Sequence, residues 1–106
     1  MIGYEIASGI TEMTVALAGY DFADNKASII CRHCMDGVPV LAFFHDDDGD
    51  IHFSCGADGH SEADWMVVDI EDVVERNRDL LSLPTVRMGE VAERSAEHQA
   101  WVVSKE

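Results

Sequence analysis

The chain has 106 residues, of which 21 are Asp or Glu and 7 are Lys or Arg, giving a formal charge of −14 at neutral pH with histidine neutral. A hydrophobic content of 47% with two prolines supplies a core, so wholesale disorder is excluded and one small acidic domain over residues 1–106 is expected. Such a charge repels phosphate backbones and anionic headgroups, which argues against nucleic-acid and membrane-surface binding and leaves a basic protein as the electrostatically natural partner.

No Lys or Arg precedes Lys26, so the cationic start of a secretory signal is missing. No apolar run reaches the ~18 residues of a membrane span. A cytoplasmic location is the resulting expectation. The cysteines, Cys31, Cys34 and Cys55, are odd in number, which fits reduced thiols or metal ligands better than a closed disulfide framework.

Along the chain, Ile2, Tyr4 and Ile6 alternate as in a strand, whereas Ile10, Met13 and Leu17 keep helical spacing. The reading is a short strand, then a helix stopped at Gly19, with residues 21–25 as a polar linker. Residues 28–34 read as a strand, Asp36-Gly37 as a turn, and residues 38–44 as a buried strand opened by Pro39. The run Asp46-Asp47-Asp48-Gly49-Asp50 supplies turn chemistry, and Ile51, Phe53 and Cys55 then alternate with His52 and Ser54. These three strands are expected to form an antiparallel meander. A loop over residues 46–49 would set Phe44 opposite Ile51, Ala42 opposite Phe53 and Val40 opposite Cys55.

Residues 56–64 form a polar loop carrying His60, and Trp65-Met66-Val67-Val68 a further strand. Asp69 caps a helix that runs through Val73 and Val74 towards Leu80 and Leu81, ended by Pro84, with Glu71 and Asp72 at its positive N-terminus. Residues 85–95 and 100–104 make a last hairpin turning at Glu97-His98-Gln99. Trp65 and Trp101 are core anchors. The expected fold class is α+β, a mainly antiparallel sheet of about five to six strands with one or two helices.

Cys31-Arg32-His33-Cys34 and Cys55-x-x-x-x-His60 place three thiols and two imidazoles in two short clusters on adjacent predicted strands. These are zinc-ligand types at zinc-ligand spacing. Two ligand sets compete. Cys31, Cys34, Cys55 and His60 would need a tight knuckle over residues 31–34. Cys31, His33, Cys55 and His60 would need only an extended strand, because residues two apart share a face, and their formal charge with a dication is zero. Zinc is thus the expected ion, and metal-free reduced cysteines are the competing reading. A redox Cys-x-x-Cys centre needs cations or a helix N-terminus to lower a thiol pKa. Between His33 and Glu75 the chain has acids but no Lys or Arg, and a turn signal follows Cys34. Asp46, Asp48 and Asp50 open like a calcium loop, yet Ile51 and Ala57 stand where that loop needs glycine and glutamate. A Cys/His catalytic pair could draw on His45, His52 or His98, but no base, orienting group and oxyanion hole occur together. No residue is therefore assigned a catalytic role.

Cys31-Arg32-His33, Gly37-x-Pro39-Val40-Leu41, Asp48-Gly49-Asp50-x-x-Phe53-x-Cys55-Gly56, His60, Leu83-Pro84, Gly89, Ala92-x-Arg94 and Trp101 together resemble a small uncharacterised bacterial protein family. The likeness covers roughly residues 29–101. Its Cys-x-His and Cys-Gly … His elements imply the ligand set with His33. Ile51 replaces a tryptophan of that pattern, and Asn77-Arg78-Asp79-Leu80 replaces an Asp-Pro-Ser-Leu helix stop. The family has no established activity, so the resemblance implies a domain and not a reaction.

The leading functional expectation is a non-enzymatic domain, zinc-stabilised, that binds a basic protein; an immunity or antitoxin role is one specific version. The alternative is a metal-dependent hydrolase with one zinc position open to water. With no Lys/Arg cluster, random duplex DNA should run unretarded in a gel-shift assay at physiological salt, and salt-sensitive retardation would contradict the charge argument.

Overall fold

Hydrogen bonding in the computed structural model, which describes residues 13–106, divides the strands between two sheets. Strands β1 (Thr14–Leu17) and β2 (Tyr20–Ala23) form an antiparallel hairpin. The larger sheet is built from β3 (Ala27–Cys31), β4 (Ala42–His45), β5 (Ile51–Ser54), β6 (Trp65–Asp69), β7 (Glu90–Glu93) and β8 (Val102–Lys105). Their spatial order is β6-β3-β5-β4-β7-β8. All neighbours run antiparallel except β3 and β5, which are parallel. Helices α1 (Arg32–Met35) and α2 (Ile70–Arg76), with 3₁₀ turns at Glu62–Asp64 and Arg78–Ser82, complete the expected α+β class.

The N-terminal reading is corrected where it can be compared; Ile2 to Ile6 and Ile10 lie outside the described residues. Met13 and Leu17 do not sit on a helix, and residues 21–25 are not simply a linker. Ala18 and Gly19 both have positive φ, 54° and 86°, the signature of a two-residue hairpin turn that matches strand twist. Leu17 and Tyr20 flank that turn as a register pair, and Tyr20 and Phe22 pack on the buried His45. The β-branched and aromatic residues at 14, 15, 20 and 22 outweighed the sparse helical spacing.

The meander is also corrected, because β3 lies beside β5 and not beside β4. Its strand stops at Cys31, where α1 begins, and α1 with the segment through Pro39 carries the chain to the far side of β5. The β4–β5 hairpin exists but its register differs by one residue: His45 faces Ile51, Phe44 faces His52 and Phe43 faces Phe53. The turn explains the slip. Gly49 N–H donates to Asp46 O at 2.9 Å, Asp46 N–H to Asp50 O at 2.8 Å, and Gly49 has φ 91°. That is a tight turn followed by a left-handed glycine bulge, one residue different from the loop assumed. Phe43, Phe53, Ile51 and Ile30 therefore enter the core, while Phe44 and His52 face the other side.

Helix α2 buries Ile70, Val73 and Val74, one face at i, i+3 and i+4 spacing. Asp69 occupies its N-cap without a side-chain cap bond. Instead Ile70 and Glu71 donate their amides to Lys26 O and Asp24 O, so the β2–β3 link caps the helix. The helix ends at Arg76, short of Leu80 and Leu81, because Asn77 turns away at φ −136° and bonds back through Nδ2 to Val73 O. Leu80 enters the core from the following 3₁₀ turn, and Leu81 is exposed.

The closing hairpin β7–β8 forms as expected. Arg94, just after β7, is buried; its Nε and Nη2 donate to Val40 O, and Nη2 also reaches Asp79 Oδ2 at 2.6 Å. Trp101 covers the guanidinium at 4.1 Å, and Arg94 Nη1 is the buried side-chain nitrogen left without a partner among the described residues. At the opposite edge, β6 pairs among the described residues with β3 alone and exposes Met66 and Val67. No helix among the described residues is long and apolar enough to cross a membrane.

Gly19 gives the hairpin a test with a sign. A Cβ there would lie 2.6 Å from Thr85 Oγ1 at a left-handed φ. Gly19→Ala should therefore destabilise the protein by about 1–3 kcal/mol, and Thr85→Ala in the same chain should restore part of the loss in thermal melts. A helix stopped at Gly19 would also lose stability on this change, but Thr85→Ala would then restore none of it.

Candidate metal centre

Parallel pairing sends the C-terminal ends of β3 and β5 to the same end of the sheet. Cys31 is the last residue of β3, and Cys55 follows Ser54 directly at the end of β5. Strand β6 returns antiparallel beside β3, with Trp65 opposite Cys31, so the loop leading into it carries His60 to that same end. His33 arrives from α1. The donor atoms of Cys31, His33, Cys55 and His60 all lie within 4.8 Å of one another.

The local sequence dictates how each side chain points. Cys31 is extended at φ −73°, ψ 146°, and the next four residues make one helical turn closed by Asp36 and Gly37. In such a turn residue i+3 folds back over residue i. Cys34 accordingly lies under Cys31, Sγ to Sγ 3.5 Å, with its thiol also 3.7 Å from Pro39 O. His33 projects to the loop instead. The four residues whose donors gather are those of the set with His33; the extended strand expected over residues 31–34 is absent, and the tight turn that replaces it also brings the Cys34 sulfur against that of Cys31.

The spacing of the donors suits a tetrahedral ion. His33 Nδ1 and His60 Nε2 are 3.2 Å apart, and Cys55 Sγ is 3.8 Å from His33 Nδ1 and 3.6 Å from His60 Nε2. Around a tetrahedral zinc, with Zn–S of about 2.3 Å and Zn–N of about 2.05 Å, an N–N edge is about 3.3 Å and an S–N edge about 3.6 Å. The edges among His33, Cys55 and His60 therefore match those of a tetrahedral ion, and Cys31 lies within 4.8 Å of all three. Cys55 N–H donates to Cys31 Sγ at 3.4 Å, which ties the end of β5 to the end of β3. Both ligand thiols are buried, Cys31 fully and Cys55 to 9% exposure, while the two imidazoles are half-buried.

Two features outside the ligand set hold the loop in place. Arg32 Nη2 forms a 2.8 Å ion pair with Asp64 Oδ1, joining α1 to the loop's end. Ser61 N–H and Oγ–H both donate to Asp64 Oδ2, at 2.9 and 3.2 Å. These bonds, the Ser61 backbone N–H first and then the Ser61 hydroxyl and Arg32, hold the Asp64 carboxyl below its ordinary range against the opposing effect of burial. Trp65 lies against His60 at 4.9 Å between ring centroids. The sequence reading missed this brace, although Ser61-x-x-Asp64 is a capping-box signal.

The remaining histidines do not serve the thiols. His45 is buried and donates from Nδ1 to Val86 O at 2.7 Å, held among Tyr20, Phe22 and Phe43. His52 donates from Nε2 to Asp46 Oδ2 at 2.7 Å, and His98 occupies a positive-φ turn before Trp101. Asp48 accepts from Asp50 N–H at 3.0 Å, so the acidic run acts as a hairpin tip. No family model, curated protein or solved structure matches the chain.

Burial raises the Cys34 thiol far above the ordinary value of 9.0, helped by its bond to Cys31, and burial likewise raises Cys55. In the unfolded chain these protons leave near that ordinary value, whereas the folded chain retains them. Unfolding then releases protons, so metal-free stability is fully present below about pH 9 and falls as pH rises beyond it. Melts of chelated protein between neutral and strongly alkaline pH should show this decline, and Cys34→Ala should flatten it.

Proposed function

We propose that the chain is a zinc-stabilised, non-enzymatic module that binds a basic protein. The observation that carries the metal half of this reading is the convergence of Cys31, His33, Cys55 and His60 within 4.8 Å of one another, with the three edges among His33, Cys55 and His60 close to tetrahedral. Two thiolates and two imidazoles are a closed structural zinc set, neutral overall with the dication. Neutrality matters here, because burial and a neighbouring sulfur penalise thiolates that no ion compensates. The free, buried cysteines suit a reducing compartment, which supports a cytoplasmic location.

The partner half rests on charge. Fourteen more acids than Lys and Arg residues give a field that accelerates encounter with a cationic protein and repels nucleic acid. An immunity or antitoxin role would use that field to cover a basic toxin. The resemblance to small bacterial proteins draws on the same Cys31-x-His33 and Cys55-Gly56 … His60 elements that meet in space, which supports the view that those elements serve the fold. A hydrolytic zinc would require one of the four donors to give way to water; the spacing favours the closed alternative.

Elemental analysis of untagged protein should find one zinc per chain, and cobalt substitution should give the absorption of a tetrahedral site with two thiolates. Cys55→Ser and His33→Ala should each lose the metal and lower the melting temperature by about 10 °C or more; Cys34→Ser should retain it. Identical melting with and without chelator would remove the site, and loss of metal in Cys34→Ser but not His33→Ala would select the other ligand set.

A further inference from the structure

Alternation along β4 and β5 sends Phe43 and Phe53 into the core and turns Phe44 and His52 to the opposite face of the sheet. That face is hollowed by a groove of about 380 Å³. His60 and Trp65 line it on the side of the metal cluster, Phe44 and His52 line its floor, and Asp46 and Glu106 supply carboxylates. Most of its surface is apolar or aromatic, and no Lys or Arg among the described residues lines it.

The two acids lie together without a cation between them. His52 donates to Asp46 Oδ2, which fixes that carboxylate at the rim. Burial first, then a hydrogen bond to Asp46 and the charges of Asp46 and Asp47, push the Glu106 carboxyl above its ordinary range, with His52 opposing. Aromatic walls beside paired carboxylates are complementary to a planar cation, which stacks on rings and offers a fork of N–H donors.

We propose that this groove receives an arginine side chain from the basic partner, its guanidinium between Asp46 and Glu106 and its stem along Phe44 and Trp65. The proposal rests on the reading of the domain as a binder of a basic protein and says where and through which residue type that partner docks. Arginine suits the groove better than lysine. An ammonium is a compact, strongly hydrated charge that cannot use the aromatic walls and both carboxylates at once. Because His60 and Trp65 belong both to the groove and to the surroundings of the metal cluster, the groove keeps its shape only while the loop over residues 56–64 is held.

The experiment uses protein shown by elemental analysis to carry its zinc, labelled with ¹⁵N and titrated with acetyl-Ala-Arg-Ala-amide. Saturable amide shifts should concentrate at Phe44, His52, Trp65 and Glu106. The citrulline analogue should bind about tenfold more weakly, and the lysine peptide should fall between the two. Asp46→Asn and Glu106→Gln should each weaken arginine binding by about threefold or more; both sit at exposed or rim positions, and their unperturbed spectra elsewhere verify the fold. Equal binding of the arginine and citrulline peptides, or shifts lying elsewhere on the chain, would overturn the groove. Equal affinity for free arginine amide would overturn peptide docking in favour of a small ligand. An arginine-rich octapeptide separates the two readings. If it binds with no effect of Glu106→Gln, the groove falls and the basic-partner reading stands; if it fails to bind at low salt, both fall.

Discussion

The parallel pairing of β3 with β5 is the constraint on which the candidate site depends. Had these strands run antiparallel, Cys31 and Cys55 would sit at opposite ends of their ladder, more than a strand's length apart. Parallel strands need a crossover connection, and here it is made by α1, the extended segment after Gly37, and β4 itself. The same connection supplies His33. One topological choice thus explains why ligands separated along the chain share an end of the sheet, and why β4 is free to pair with β7 on its other side.

The two halves of the large sheet are secured by different means. On the β6-β3-β5 side, the thiols, imidazoles and the Arg32–Asp64 pair tie the strand ends to the loop over residues 56–64. On the β4-β7-β8 side, Arg94 ties the end of β7 to the backbone before β4 and to the 3₁₀ turn through Asp79. Arg94 is a buried cation with a carboxylate and a carbonyl as partners, an arrangement that is costly to break because the surviving group would be stranded away from water. A small domain with a modest core gains from both devices.

Much of this was legible from residue patterns. The alternation over residues 51–55 was readable because one face is apolar, and the strand at residues 65–68 because it is a short, β-rich apolar run between polar segments. That Cys31, His33, Cys55 and His60 could gather was readable from their types and spacing, and they do meet in space. What escaped was topology and register. Nothing in the run from Cys31 to Phe44 says that β4 crosses to the far side of β5, since local residues encode turns and not neighbours. The one-residue slip of the β4–β5 hairpin came from Gly49 acting as a bulge, a distinction that Asp-Asp-Asp-Gly-Asp leaves open. The N-terminal hairpin escaped because Met13 and Leu17 imitate helical spacing, and Ala18 is an uncommon residue at positive φ.

The exposed edge strand β6 has a further consequence for how copies of this protein behave together. Its outer edge has no strand beside it among the described residues, and Met66 and Val67 face solvent there. An open, apolar edge is a template for pairing with another chain. Asp64 stands just before the strand and Asp69 ends it, and every approaching copy carries the same excess of negative charge. Mutual repulsion over a Debye length of about 10 Å at 0.1 M salt keeps such edges apart. As salt shortens that length the repulsion weakens, so association of copies through this edge is expected to grow with ionic strength.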